Sequence, residues 1–129
     1  MRFMMMVIYE SAAPDAVPTA KMVEYNKTLQ KAGVLLAIDS LFPPSTGARI
    51  TYAGGKPTVI DGPFAETKEV IGGYWIIQVR SREEAIEWAR RAPMSDNDVI
   101  EVRRIHEMPD FPEDVQRVAE GFEHRNVVH

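Results

Sequence analysis

Two short apolar runs, residues 2–9 and 73–79, constrain this chain more than any other feature. RFMMMVIY has no polar side chain after Arg2 until Glu10, apart from the hydroxyl of Tyr9. A run of that length without polar alternation suits a strand covered on both faces, in the middle of a sheet. It is too short for the roughly 20 apolar residues of a membrane span. It also lacks the longer apolar region and small-residue cleavage site of a signal peptide. The expectation is a cytoplasmic protein with no membrane partner. GYWIIQV, residues 73–79, is the strongest strand signal in the chain.

The segments around these runs alternate in kind. Residues 11–18 hold two prolines and an aspartate and read as a loop. Met22, Tyr25, Leu29 and Ala32 recur at helical spacing and end at Gly33, which predicts a helix over 18–32 with Pro18 in its first turn. A second strand follows at 34–38, ending before Pro43-Pro44. Residues 49–53 and 57–60 flank Gly54-Gly55-Lys56, a hairpin signal. Ser81 with Glu84 three positions later forms a capping box. Ala85, Ile86, Ala89 and Ala92, with Trp88 beside them, then mark a helix stopped by Pro93. Residues 99–105 alternate apolar and charged, as in a strand with one wet face. From Met108 onward Asp110 is a candidate cap, and Phe111, Val115, Val118 and Phe122 line one side of a short terminal helix. Residues 123–129 read as a frayed tail.

The order is β-α-β, hairpin, β-α-β and a terminal helix. This predicts an α+β fold with a ferredoxin-like sheet and an inserted hairpin. Its 129 residues suit one domain. The helices cover one face of such a sheet, and little chain remains for the other. Two sheets packed face to face in a homodimer would bury it.

Charge and composition narrow the function. Nineteen acidic against fifteen basic residues give a net charge of −4, which argues against a nucleic-acid partner. The absence of cysteine removes disulfides, thiol nucleophiles and thiolate metal sites. His106, His124 and His129 are spread along the chain and do not predict a metal site. No phosphate loop, dinucleotide fingerprint or nucleophile elbow occurs, and no cofactor is expected.

The densest chemistry lies in residues 61–69, DGPFAETKE. Asp-Gly-Pro is turn chemistry, Phe64 can plug a core, and Glu66, Lys68 and Glu69 can form a solvated edge. The same residues also suit a site. In an extended segment Glu66 and Lys68 share a face. A carboxylate beside an ammonium can move a proton or hold an anion. Asp61, Glu66 and Lys68 are therefore the candidate catalytic groups. Asp39, Phe64, Glu69, Tyr25 and Trp75 are candidate ligand contacts, with core packing the competing role for Tyr25 and Trp75. Gly72-Gly73 marks a bulge or a close backbone approach.

DGPFAETKE, followed by VIGGYW, resembles the signature of the DGPF branch of the YCII-related family. The resemblance extends over about residues 1–107, through MRFMMMVIYE, AGVLLAIDSLFPP, EEAIEWARRAP and IEVRRI. It implies a dimeric α+β barrel, in which two ferredoxin-like sheets pack together. It divides the chain into a YCII-related domain at 1–109 and a C-terminal helix and tail at 110–129. Some relatives use a His–Asp pair, and one is a dehydrochlorinase acting on a chlorinated hydroxyquinol. The matching positions here hold Met22 and, before Pro93, Ala92, so that mechanism does not carry over.

Three functions remain open. One is a homodimer binding a small polar or aromatic ligand near residues 61–69. The second is an enzyme of proton transfer or elimination, with Asp61 or Glu66 as base and Lys68 holding an anion. The third is an interaction module linked to sigma-factor regulation, since DGPF proteins are often encoded beside alternative sigma factors.

Overall fold

The computed structural model describes residues 1–9, 19–62 and 69–122. The loop expected at 11–18 and the tail at 123–129 lie outside the described residues. Six strands and three helices follow in the order β1 (Arg2–Tyr9), α1 (Ala20–Lys31), β2 (Leu35–Ser40), β3 (Ala48–Ala53), β4 (Lys56–Asp61), β5 (Val70–Gln78), α2 (Arg82–Arg90), β6 (Val99–Arg104) and α3 (Glu113–Val118). The main sheet has four strands in the order β2-β5-β1-β6, and β3-β4 forms a separate two-stranded sheet. All pairings in the main sheet are antiparallel. This is the ferredoxin-like α+β fold, with a hairpin inserted between β2 and β5.

The apolar run at 2–9 is β1, between β5 and β6. Its odd residues, Phe3, Met5 and Val7, are buried with Trp75 and Ile77 of β5, Tyr25 and Leu29 of α1, and Ala85 of α2. Its even residues, Met4, Met6 and Ile8, point to the opposite face and are half-buried. There Met4 pairs with Ile76 and Met6 with Tyr74, so this open face is apolar along its centre. No helix covers it among the described residues.

Local chemistry explains the boundaries. α1 begins at Ala20, two residues later than expected from Pro18, because Thr19 caps it: the Thr19 hydroxyl oxygen accepts from the Met22 N–H. At α2 the Ser81 oxygen accepts from the Glu84 N–H, and the Glu84 carboxylate accepts from Arg80 N–H, one residue earlier than in a reciprocal box. Asp110 does not cap α3. It closes a 3-10 turn at Met108–Asp110, accepting from the Glu107 N–H, and α3 starts after Pro112. Gly54 and Gly55 both have positive φ, as the two-residue turn of the β3–β4 hairpin demands.

Candidate functional site

The two layers part where β1 ends and β5 begins. A cavity of about 170 Å³ lies there, against the first turns of α1 and the loop after α2. Thr19, Met22 and Asn26 form its helical wall. Their spacing of three and four places them on one side of α1. Val7, Tyr9 and Trp75 come from the strands, Ile38 and Asp39 from β2, and Met94 and Asp98 from the loop.

Three contacts fix this wall. Trp75 Nε1 donates to Asn26 Oδ1 at 2.8 Å. An indole N–H can only donate, so the partner atom is the amide oxygen. Among the described residues the Asn26 amide N–H groups have no partner and can donate to a ligand. Behind them Tyr25 meets Trp75 edge to face, with ring centroids 5.6 Å apart. Its hydroxyl donates to the Trp88 carbonyl at 2.6 Å. Burial pushes the Tyr25 phenol up to about 12, so it is a neutral structural donor.

Tyr9 closes the third side. The register jumps from Val7–Gly73 to Ile8–Ile71, which makes Gly72 the extra residue of a bulge. The Tyr9 ring lies on the backbone of Gly72, where an added Cβ would sit 2.1 Å from Cε2. Gly73 is also tight, since a Cβ there would lie 2.8 Å from the Asp39 carbonyl oxygen. Burial, and then the Asp98 charge, raise the Tyr9 pKa above the ordinary phenol value, so its hydroxyl holds its proton. Asp98 accepts from the Ser95 N–H at 3.1 Å. Asp39 borders the cavity, but its carboxylate is on the open face of the sheet, where it accepts from the Tyr74 hydroxyl at 2.7 Å and raises the Tyr74 pKa. Among the described lining residues Asp98 is therefore the carboxylate on the cavity's side of the sheet.

The candidate residues fall in different places. Trp75 lines the cavity and Asp39 borders it, with the Asp39 carboxylate turned to the open face. Tyr25 is buried behind Trp75. Asp61 is the last residue of β4, and both it and Glu69 are exposed and outside the cavity lining. Phe64, Glu66 and Lys68 lie outside the described residues. Gly62 has a steric role: a Cβ there would lie 2.0 Å from the Pro44 carbonyl oxygen. Sequence reasoning missed Tyr9, Asn26 and Asp98. Asn26 carried a signal, as a polar residue one turn beyond Met22 on the same side of α1. No group of three or more His, Asp or Glu suited to holding a metal occurs among the described residues.

A match to the YCII-related domain covers residues 1–109. The chain belongs to the YCII-related family. An uncharacterised protein of Rhizobium meliloti (strain 1021) is 40% identical over 60 residues, 46% of this chain and 48% of that protein. The match spans about half the length of that curated relative. In this YCII-related protein Met22 and Pro93 both line the cavity. Ala92, the residue before Pro93, is not among the lining residues. No described helix is long and apolar enough to cross a membrane.

Proposed function

We propose that this YCII-related protein, of the DGPF type, is a homodimer that binds a small polar or aromatic molecule in the cavity between α1, β1 and β5. The supporting observation is the Trp75–Asn26 hydrogen bond in the cavity wall. It holds an aromatic edge and an amide donor in one fixed arrangement, the combination that orients a flat ligand with an acceptor group. The volume of about 170 Å³ limits the ligand to about one ring, since a cavity of about 150 Å³ accepts benzene. Two sheets packed through Met4, Met6, Tyr74 and Ile76 would cover the open face, as in a dimeric α+β barrel.

The test is a thermal-shift and NMR screen of single-ring phenols, hydroxyquinols and small amides. A binder at about 100 times its Kd stabilises the protein by about 2.7 kcal/mol. Asn26→Leu should abolish that gain. A screen in which no compound perturbs Asn26 or Trp75 signals would sink the reading. Proton transfer on the bound molecule is the second reading, favoured by the protonated Tyr9 hydroxyl beside Asp98. Under it Tyr9→Phe keeps ligand binding and loses turnover.

A further inference from the structure

The β3–β4 hairpin has no use in the cavity, and its structure is unusual for a piece of a folded domain. All twelve of its strand residues are exposed. It shares no ladder with the main sheet. A two-stranded hairpin alone is marginal in water. Its base is nevertheless held firmly: Gly62 N–H donates to the Gly47 carbonyl at 2.9 Å, and Gly62 packs against the Pro44 backbone. The register gives the hairpin two unlike faces. Ala48 pairs with Asp61, Ile50 with Val59 and Tyr52 with Pro57 on one side, while Arg49 pairs with Ile60, Thr51 with Thr58 and Ala53 with Lys56 on the other, so the first side is apolar up to Asp61 at its base. On the apolar side Ile50 is 52%, Tyr52 74% and Val59 66% exposed. Alternation of this kind belongs to a ribbon with one face covered.

We propose that this hairpin is an arm that lays its Ile50–Tyr52–Val59 face on a second copy of the chain. The proposal rests on the homodimer reading above and adds the element that secures it. Area favours this occupant. The open face of a four-stranded sheet, with strands about 4.8 Å apart and about 20 Å long, has a footprint of roughly 400 Å². A stable interface takes roughly 800 Å² from each partner. The sheet faces alone fall short, and two arms closing over a twofold axis bring each protomer toward the stable range.

The experiment is sedimentation velocity over a dilution series of the full chain. The wild type should be a dimer. Ile50→Glu with Val59→Glu should raise the dimer dissociation constant at least tenfold, and Thr51→Glu with Thr58→Glu should leave it within about twofold. A second measurement does not depend on the glutamates. The chain has no cysteine, so Tyr52→Cys places a single thiol on the arm. Its maleimide labelling should slow at least tenfold from dilute to concentrated protein. If the Ile50/Val59 variant dimerises like the wild type while Met6→Glu dissociates, the dimer stands and the arm is overturned. If the variant turns a tetramer into a dimer, the arm joins dimers and the clasp is wrong. A wild type that stays monomeric overturns both readings.

Discussion

Gly62 and Gly72 are small because another group occupies the space of a side chain. At Gly62 that group is backbone, the Pro44 carbonyl, and at Gly72 it is the Tyr9 ring. A ring can swing and a carbonyl anchored in a turn cannot. Both Gly→Ala variants should lose stability in urea denaturation, by about 1–3 kcal/mol, with Gly62→Ala at the upper end. Only Gly72→Ala should also disturb the cavity, seen as a shift of the Tyr9 NMR signals. A second prediction concerns alkali. Tyr25 titrates near 12 when folded and near 10 when unfolded. Its contribution is complete below pH 10 and is lost as pH rises toward 12. Thermal melts of Tyr25→Phe should show a smaller fall between those values than the wild type. At this scale the sequence exposed the tight packing at Gly72-Gly73, because two glycines before a strong strand need a reason. It hid Asn26, whose importance comes from Trp75, a residue 49 positions away in the chain.

Among the described elements, apolar runs, hydrophobic period and turn glycines together placed the six strands and three helices within a few residues. The errors were at caps, where one hydrogen bond decides between neighbouring residues. Thr19 outcompetes Pro18, which has no donor or acceptor side chain, and Asp110 is spent on its own turn. The end of the domain is held there by an ion pair. Arg2 Nε lies 2.7 Å from Glu107 Oε1, with both side chains largely buried. Glu107→Ala should cost about 1.5–3 kcal/mol, the range for hydrogen bonds to charged groups, measured by urea denaturation. α3, by contrast, buries no residue, and Val118 is 88% exposed. Deleting residues 112–129 should change the Tm by less than about 5 °C. The apolar stripe seen along α3 in the sequence is real but is not core.

For the molecule as a whole, the ferredoxin-like α+β class was readable from alternating strands and helices, because few topologies bury two helices on one face. The cavity was not readable. It lies where strand ends, a helix start and a loop converge, and no local pattern announces that meeting. The densest charge, at residues 61–69, drew attention to the hairpin's end instead. If the protein is a dimer, its Tm should rise over a roughly hundredfold increase in concentration, since association stabilises by mass action. Differential scanning calorimetry at two concentrations reads this directly, and an unchanged Tm counts against association.

β1 pairs along its length with β5 and β6, so Phe3 lies beside Ile77 on one side and Arg104 on the other. The strand is thus made before either of its neighbours. During synthesis its methionines leave the ribosome long before residues 70–78 exist to pair with them. Such distant pairings carry a large loop-closure cost and slow folding. Until residues 70–78 are made the nascent chain therefore carries an unpaired apolar strand, a segment suited to capture by chaperones.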